Sequence, residues 1–305
     1  MKRLTLGVLT FNNGRFLQDL LNSIDKQKNR DFAVLIINNG STDFSVEFIR
    51  DFEKQEHDFD LHIIDNPLNY GSYSGTKQLI FHCNTSHLSI IHGDDLLKDS
   101  YSEIANNIIN LNPDVGGFNF DLVEIEGNEN YATGTILKSN WTQFKTLNRL
   151  LVSGLNPGVM PGAILNLEKI GCKFLGEEFE ETKLNGVEDI LMWLQIIRAS
   201  ERIIRIPVAA YFYRRHSGQI SKNFSIYGAS LGYARKLNFL TAKTLLEKLL
   251  CVSEINHEFS TVNFDDSYLK GLNSLSKYRI FSIFRFFNIL TRRFSKMINN
   301  ISYFK

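Results

Sequence analysis

The chain has 305 residues, of which 43% are hydrophobic and 22% charged, as expected for a globular protein with one large domain or one domain plus an appendage. Its net charge of +1 argues against a protein that coats nucleic acid through a uniformly basic surface, so no nucleic-acid partner is expected. Three widely separated cysteines, Cys83, Cys172 and Cys251, form no CxxC pair, which argues against a zinc cluster or a disulfide framework.

The first hundred residues alternate short apolar runs with segments of helical periodicity. The apolar runs predict buried strands at residues 4–9, 32–37, 61–64 and 88–91. Helices are predicted from residue 16, after residue 43 and over 71–83. This alternation predicts a mostly parallel sheet with helices on both faces. In such sheets ligands bind at the carboxyl ends of the strands, where the polar clusters of this chain also fall.

Beyond residue 114 the alternation is looser. Strands are predicted over 115–123, 131–137 and 202–213, the first two as a hairpin, and a strongly apolar helix over 190–197. Everything after residue 225 has a helical pattern. We therefore place a domain boundary near residue 222, with a catalytic domain over 1–222 and a C-terminal helical region over 223–305.

Two adjacent carboxylates, Asp94 and Asp95, directly follow the strand predicted at 88–91. Carboxylate oxygens at the carboxyl end of a strand suit a hard cation such as Mg²⁺ or Mn²⁺ together with the phosphates of a ligand. The alternative is that one of the two residues caps the next helix. The pair alone does not decide between these alternatives.

A second acidic pair, Glu188-Asp189, opens the predicted helix that carries Trp193. Carboxylates in the first turn of a helix commonly offset the helix dipole, and that ordinary role is one interpretation. The other is a general base that takes a proton from an acceptor hydroxyl.

Two further segments carry polar groups suited to a phosphorylated ligand. Residues 69–77 are glycine-spaced and open a helix, so their backbone N–H groups suit a diphosphate, although the spacing is not that of a P-loop. Residues 213–218 follow a strand and combine two arginines with His216. This combination suits a metal ligand beside an arginine that contacts phosphate.

The order of these motifs resembles that of the family 2 glycosyltransferases, which are inverting enzymes of the GT-A fold. The resemblance runs from residue 4 to residue 221. Thr10-Phe11-Asn12 is similar to the Thr-aromatic-Asn segment that holds the nucleotide base in that family. Residues 38–43 resemble its Asp-Asp/Asn-Gly-Ser-Thr-Asp segment, which also contacts the nucleoside, and residues 69–71 resemble its Asn-x-Gly.

The later motifs follow in the family's order. Residues 92–95 stand at the place of its Asp-x-Asp-Asp motif, and residues 161–163 at that of an acceptor-side glycine loop. Glu188-Asp189 resembles the Glu-Asp pair whose Asp is the base, and residues 213–216 carry its late histidine.

The resemblance implies an α/β protein of the GT-A nucleotide-sugar-binding fold, a mostly parallel mixed sheet between helices, with a C-terminal helical extension. It implies inverting transfer of a sugar from a nucleotide diphosphate sugar, with a UDP-sugar favoured. The acceptor would be a hydroxyl of a glycan or of a lipid-linked acceptor in surface polysaccharide synthesis. The implied cofactor is Mn²⁺ or Mg²⁺.

The resemblance also assigns roles to individual residues. Asp189 and Glu188 are the implied catalytic pair, and Asp94, Asp95 and His216 the implied metal ligands. The implied contacts with the nucleotide sugar are Thr10, Asn12, Asn38, Asn39, Asp43, Asn69, Gly71, Lys77, Asp94 and Arg214.

Three departures from the family pattern keep other functions open. Asn38 stands where an Asp is common, His92 replaces the first acid of Asp-x-Asp, and Thr76-Lys77 replaces a frequent Arg-Asn pair. One alternative is therefore a catalytically degenerate protein that binds nucleotide sugars, against which the intact Glu188-Asp189 pair argues. The other is a nucleotidyltransferase, which needs a Gly-rich basic signature after the first strand that this chain lacks.

The C-terminal segment 277–305 is basic and amphipathic. Apolar residues recur at steps of three and four over 280–301, while Arg285, Arg292, Arg293 and Lys296 cluster opposite them on a helical wheel. The segment either packs on the catalytic domain or lies on an anionic membrane surface. Because the sequence shows neither a signal segment nor a run of ~20 apolar residues, we expect a cytoplasmic protein; under the second alternative, this segment is its peripheral contact with the inner face of the cell membrane.

Overall fold

Apolar runs form the strands and amphipathic segments form the helices in the first half of the chain. The computed structural model describes residues 2–127, 135–137, 161–171, 185–186, 188–189, 192–193, 196 and 202–219. The strands are β1 (Leu4–Thr10), β2 (Ala33–Asn38), β3 (Asp60–Asp65), β4 (His87–His92), β5 (Leu96–Leu97), β6 (Gly117–Glu126), β7 (Thr135–Leu137), β8 (Ile164–Asn166) and β9 (Ile203–Arg215). The helices are α1 (Gly14–Asp25), α2 (Ser45–Glu53), α3 (Ser72–His82), α4 (Tyr101–Leu111) and α5 (Leu167–Ile170).

The strands pair into one mixed sheet in the order β3-β2-β1-β4-β8-β6-β9-β5, with β7 beside β6. Strands β3, β2, β1 and β4 are parallel, as the alternation of strands and helices predicts. Strand β8 joins the two halves by running antiparallel to both β4 and β6. The antiparallel pairing of β6 with β7 agrees with the predicted hairpin. The predicted mostly parallel mixed sheet is confirmed.

Helices cover both faces of the parallel half, and β1 shows how. Its even-numbered apolar residues, such as Leu6 and Val8, lie in the main core with side chains of α1, α2 and α4. Its odd-numbered residues face α3, because a Cβ on Gly7 would lie 3.1 Å from Leu79 and one on Gly75 would lie 2.3 Å from Leu9. Successive side chains of a strand point to opposite faces, so α3 packs on the face opposite the main core.

The strand order places three polar loops at one edge of the sheet. The register pairs Thr10 with Asn38 and Asn38 with Asp65, so the carboxyl ends of β1, β2 and β3 form one row. On the other side of β1, Leu9 pairs with His92 at the end of β4. The strand order therefore reverses at β1, with β2 and β3 on one side of it and β4 on the other. In open α/β sheets, ligands bind outside the carboxyl ends of the strands at the point where the strand order reverses.

Several predictions fall wholly or largely outside the described residues. The boundary near residue 222, the helical region and the amphipathic segment 277–305 all lie beyond residue 219. Of the helix predicted at 190–197, the described residues Met192, Trp193 and Ile196 are helical, and all three are buried. Among the described residues, no helix is long and apolar enough to span a membrane.

Candidate active site

The loop after β1 packs tightly against the loop after β4. The buried hydroxyl of Thr10 donates to Asn13 Oδ1 at 3.1 Å, and the backbone N–H of Gly93 donates to the carbonyl of Leu9 at 2.9 Å. A Cβ on Gly93 would lie 2.5 Å from Thr10 Oγ1, so only glycine allows this approach. The two loops therefore form one unit at the edge of the sheet.

The side chain of Asn12 joins the loop after β1 to the loop after β2. Asn12 Oδ1 accepts from the N–H of Thr42 at 2.8 Å, and the N–H of Asn12 donates to Ser41 Oγ at 3.0 Å. Asn12 itself has a positive φ of 51°, a conformation that asparagine tolerates better than most residues. Asn12 therefore holds the loop after β2 against the loop after β1 at the predicted nucleotide site.

Asp43 anchors the beginnings of two helices. Its carboxylate accepts from the N–H of Gly14 at 2.9 Å and from the N–H of Ser45 at 3.0 Å. Partial burial opposes ionisation, but the hydrogen bonds from Ser45 and Gly14 outweigh it and hold the pKa of Asp43 below its usual value. Asp43 thus stays ionised and ties α1 to α2.

Asn38 and Asn39 are buried, and their side-chain amides hydrogen-bond to neighbouring residues of the sheet and its loops. Asn38 Nδ2 donates to Asp65 Oδ1 at 2.8 Å, while its Oδ1 accepts from the N–H of Ser41. Asn39 Nδ2 donates to Asn69 Oδ1 at 2.9 Å and to the carbonyl of Gly71 at 3.1 Å. Both residues therefore lock the loops after β2 and β3 together.

The loop over residues 69–71 leads into α3. Asn69 Oδ1 accepts from the N–H of Gly71 at 2.8 Å, and Gly71 has a φ of 88°, which favours glycine. Lys77 lies in the second turn of α3 and is partly buried. The predicted contacts of Asn69, Gly71 and Lys77 with a diphosphate remain predictions.

Asp95 is buried beneath the loop and has two protein donors. Tyr211 Oη donates to its Oδ2 at 2.8 Å, and the N–H of Arg214 donates to its Oδ1 at 2.8 Å. Burial, followed by the charge of Asp94, raises the pKa of the Asp95 carboxyl well above its usual value. Tyr211 also accepts from the N–H of His92 at 3.2 Å, so one phenol holds both ends of this loop.

Asp94 is partly exposed in the same loop, and two imidazoles lie near its carboxylate. His216 Nε2 is 2.8 Å from Asp94 Oδ2, and the predicted shared role of the two residues in a metal site stays a prediction. His92, Asp94 and Asp95 each offer a ligand atom within 4.8 Å of the other two, so this structure adds His92 to the candidate ligands. Burial lowers the pKa of His92, which favours the neutral imidazole that binds metals.

Arg214 lies beneath the acidic loop and is 1% exposed. Its Nε donates to the carbonyl of Asp94 at 2.8 Å, another guanidinium nitrogen bonds to the carbonyl of Gly127, and the group stacks 4.7 Å above the ring of Phe16. These contacts make Arg214 a support for the Asp94-Asp95 loop. Because the guanidinium is buried, the predicted contact of Arg214 with phosphate stays a prediction.

The second acidic pair lies beside the first turn of α3. Glu188 is 6% exposed, and its Oε2 accepts from the hydroxyl of Ser72 at 3.1 Å. Burial, with a further contribution from the charge of Asp189, raises the pKa of Glu188 to about 7. Asp189 is partly exposed, as a base that meets an acceptor must be.

The predicted glycine loop 161–163 is buried. Gly162 has a φ of 74°, and a Cβ at this position would lie 2.4 Å from the ring of Tyr211. The hydroxyl of Tyr101 donates to the carbonyl of Gly162 at 2.8 Å. The loop thus packs behind Tyr211 and so supports Asp95, while its predicted contact with an acceptor stays a prediction.

Comparison with known proteins decides the family. The model of "Glycosyl transferase family 2" matches residues 5–170, just over half of the chain. The chain belongs to glycosyl transferase family 2. It is a glycosyltransferase of the GT-A fold, and the nucleotidyltransferase alternative is set aside. The comparison with curated proteins gave no match.

Solved structures of glycosyltransferases share the fold of this family 2 chain. Staphylococcus aureus TarS 1–349 in complex with UDP-GlcNAc is 16% identical, with a TM-score of 0.60 over 85% of this chain and 73% of that one. The longer TarS structure gives a TM-score of 0.60 at 15% identity over 86% of this chain and 44% of that one. The mannosyltransferase PcManGT from Pyrobaculum calidifontis, in complex with GDP-Man and Mn²⁺, is 14% identical, with a TM-score of 0.57 over 98% of this chain and 87% of that one.

The sequence interpretation missed the residues that support the family 2 motifs. Tyr211, which donates to Asp95, and Asn185, whose Oδ1 accepts from the N–H of Tyr73 in α3, are single polar residues without a motif of their own, so nothing in the sequence connects them to the acidic pairs. His92 was noted as a lost carboxylate, but its imidazole is itself a metal-ligating group. Its position at the end of a predicted strand and two residues before Asp94 is the signal from which its ligand role could have been predicted.

Proposed function

We propose that the protein is an inverting glycosyltransferase that moves a sugar from a nucleoside diphosphate sugar to an acceptor hydroxyl. The supporting observation is a continuous chain of short contacts between the two acidic pairs. It runs from the Asp94 loop through the loops after β1, β2 and β3 to Glu188. The loops after β1, β2, β3 and β4 and the buried Glu188 are thus joined into one frame at the carboxyl edge of the sheet.

The side chains around Asp94 fit a divalent cation. A carboxylate next to neutral imidazole suits Mn²⁺ or Mg²⁺, and Mn²⁺ accepts nitrogen ligands more readily than Mg²⁺. We assign Asp94 as the principal ligand, with His92 and His216 beside it, and Asp95 as the buried carboxylate that fixes the loop. When bound, the ion would offset the charge of the departing diphosphate.

Asp189 is the proposed general base. Its carboxylate takes the proton of the acceptor hydroxyl while that oxygen forms a bond to the anomeric carbon from the face opposite the diphosphate. The bond from the anomeric carbon to the diphosphate oxygen breaks with its electron pair, so the configuration inverts. With a pKa of about 7, Glu188 is protonated in about half of the molecules at neutral pH, which reduces the repulsion that a second full charge would exert on Asp189.

The donor we propose is a UDP-sugar. Two of the similar structures are complexes with UDP or UDP-GlcNAc, and one is a complex with GDP-Man. The proposed acceptor is a hydroxyl of a glycan or a lipid-linked acceptor in surface polysaccharide synthesis. A peripheral membrane contact through residues 277–305 would suit a lipid-linked acceptor.

Thermal unfolding with nucleotides, three nucleoside diphosphates and the monophosphate CMP, tests this function. The purified protein is heated with UDP, dTDP, GDP or CMP, each with and without Mn²⁺. A ligand that binds only the folded state adds ~2.7 kcal/mol of stability at about 100 times its Kd, which raises the unfolding midpoint. We expect the largest shift with UDP and Mn²⁺, and a loss of the metal dependence in Asp94→Asn.

A protein that does not catalyse transfer would give a different result. No shift with any nucleotide would contradict the proposal and favour the degenerate alternative, for which His92 and Asn38 are the relevant departures. A shift that is largest with GDP would leave the transferase function in place and correct the donor.

A further inference from the structure

Helix α3 begins without a capping side chain of its own. Its N-cap residue is Gly71, and no side chain of the N-cap accepts from the first turn. The first N–H groups of a helix have no partner within it and need acceptors from elsewhere. Here Asn185, far along the chain, supplies its Oδ1 to the N–H of Tyr73 at 3.2 Å.

Gly71 makes room for this distant cap. A Cβ on Gly71 would lie 2.2 Å from Asn185 Oδ1 and 2.4 Å from its Nδ2. No larger residue allows the amide of Asn185 to lie against the backbone at this point. The glycine of the Asn-x-Gly motif therefore serves the packing of residue 185 in addition to the turn itself.

The hydroxyl of Ser72 makes a second link between the same two segments. Ser72 Oγ accepts from the N–H of Gly186 at 2.8 Å and donates to Glu188 Oε2 at 3.1 Å. One hydroxyl can do both, because it carries a donor hydrogen and two acceptor lone pairs. Glu188 is buried, so this hydrogen bond fixes the carboxyl group that immediately precedes Asp189.

The two links lie between the predicted donor loop and the predicted base. On one side, residues 69–71 are bonded to Asn39 at the end of β2. On the other side, Glu188 and Asp189 are helical and adjacent. A displacement of a catalytic group by about 1 Å is enough to lower turnover by about 10²-fold, so the links have a direct consequence for the reaction.

We propose that Ser72 and Asn185 are positioning residues that hold the Glu188-Asp189 pair against the donor loop 69–71. Donor binding and proton transfer then take place on one frame, although the two segments are distant in sequence. This inference rests on the proposed function, because it gives Asp189 the role of base. Neither Ser72 nor Asn185 needs to touch the donor for it to hold.

Variants of Ser72 test the inference in the full chain. Ser72→Ala removes the hydroxyl, Ser72→Thr keeps it, and Ser74→Ala removes a hydroxyl of the same helix that bonds to none of the described residues. Donor affinity is measured by calorimetry. Turnover is measured as release of nucleoside diphosphate from the nucleotide sugar with water as acceptor, since that assay needs no glycan.

We expect Ser72→Ala to lower kcat at least tenfold while Kd and KM for the donor change less than twofold. Ser72→Thr and Ser74→Ala should both stay within twofold of the unmodified protein. An unchanged kcat in Ser72→Ala overturns the inference. An equal loss of affinity and kcat also overturns it, because Ser72 would then be a donor contact or a general support of the fold.

Hydrogen exchange gives a readout that does not depend on activity. Asn185→Ala removes the acceptor of the Tyr73 N–H, so exchange of that amide should become at least tenfold faster, whereas Asn185→Asp keeps the acceptor oxygen and the protection. Equal exchange in all three proteins contradicts the link itself. If the unmodified protein binds no nucleoside diphosphate, the proposed function fails, and the exchange result still decides whether the link exists.

Discussion

Polar side chains at the carboxyl edge of the sheet perform two different tasks. Asn39 and Asp95 are buried and bond to neighbouring loops, so their contribution is to fix the backbone. Asp94 and His92 are partly exposed beside each other, where a ligand can reach them. Substitutions in the first group should affect stability together with binding, whereas those in the second should affect binding alone.

Asp189→Asn is the most direct test of the proposed base. An amide cannot take a proton from the acceptor, so we expect kcat to fall by about 10²–10⁴-fold while donor Kd changes little. Turnover and calorimetric binding measure the two effects. Glu53→Gln removes a carboxylate at the exposed end of α2 and should change neither. Equal losses of binding and turnover would show that Asp189 supports the fold.

His92→Asp tests the choice of metal. The substitution replaces an imidazole by a carboxylate beside Asp94, and Mg²⁺ prefers oxygen ligands more strongly than Mn²⁺ does. We expect Mg²⁺ to displace Mn²⁺ at about tenfold lower concentration, measured from the electron paramagnetic resonance signal of free Mn²⁺. His62→Asp, at an exposed position on β3, is the control. The same competition curve in both proteins would remove His92 from the ligand set.

Glu188→Gln tests the buried carboxyl through its pKa. Burial raises the pKa of Glu188 from its ordinary value of 4.5 in the unfolded chain to about 7 in the fold, so the folded state binds the extra proton. The resulting stabilisation is complete below pH 4.5 and is lost as the pH rises through 7, with a total of roughly 3 kcal/mol. Urea unfolding at pH 5 and pH 8 should show this loss in the unmodified protein and much less of it in Glu188→Gln.

At the scale of elements, the pairing of β2 with β3 accounts for the unusual Asn38. Its amide donates to the carboxylate of Asp65, its register partner on the neighbouring strand. An Asp at position 38 would place two carboxylates at hydrogen-bond distance. The family commonly has an Asp at position 38. In this chain the carboxylate lies instead on Asp65 of the neighbouring strand β3.

A charge swap across β2 and β3 tests this account. Asn38→Asp should lower the stability by about 1–3 kcal/mol at neutral pH, because it loses a partly buried hydrogen bond to a carboxylate and opposes like charges. Acid should relieve part of the loss by protonating one carboxyl. The double variant Asn38→Asp, Asp65→Asn restores the pair with its polarity reversed, and urea unfolding should show at least half of the stability recovered. Additive effects of the two changes would contradict the coupling.

Some elements could be predicted from the sequence and others could not. Strand β1 is a continuous apolar run, and helix α1 has apolar residues at helical spacing. The sequence predicts the positions of both within two residues. Strands β5 and β8 contain only two and three residues, too few to show a period, and their pairing is set by the strands they join. Among the site residues, the motifs correctly placed the polar segments at the carboxyl ends of strands β1 to β4. They did not reveal the internal partners of Arg214, because partners distant in sequence leave no local pattern.

At the scale of the whole molecule, the described residues and the C-terminal segment differ in what they offer a partner. The edge of the sheet offers mixed polar groups that suit a nucleotide sugar. Segment 277–305 has no acidic residue and carries seven of the eight Lys and Arg residues that follow Asp266. Such a segment is attracted to an anionic surface by about 1 kcal/mol per basic residue near it.

Vesicle binding by the full chain tests the membrane contact. We expect the protein to sediment with vesicles that contain anionic phosphatidylserine and to stay in solution with neutral phosphatidylcholine vesicles. A variant with Gln at Arg285, Arg292, Arg293 and Lys296 should lose most of this binding, since four contributions of about 1 kcal/mol are removed. The control variant has Gln at four exposed basic positions of the catalytic domain, Lys26, Lys28, Arg50 and Lys54, and carries the same net charge.

The comparison of the two charge variants separates a local contact from a general charge effect. If only the tail variant dissociates, the segment itself contacts the membrane, and a lipid-linked acceptor becomes the first substrate class to assay. If both variants dissociate equally, net charge rather than the segment governs the attraction. If the unmodified chain binds neither kind of vesicle, the segment is not a membrane contact, and a soluble glycan becomes the preferred acceptor.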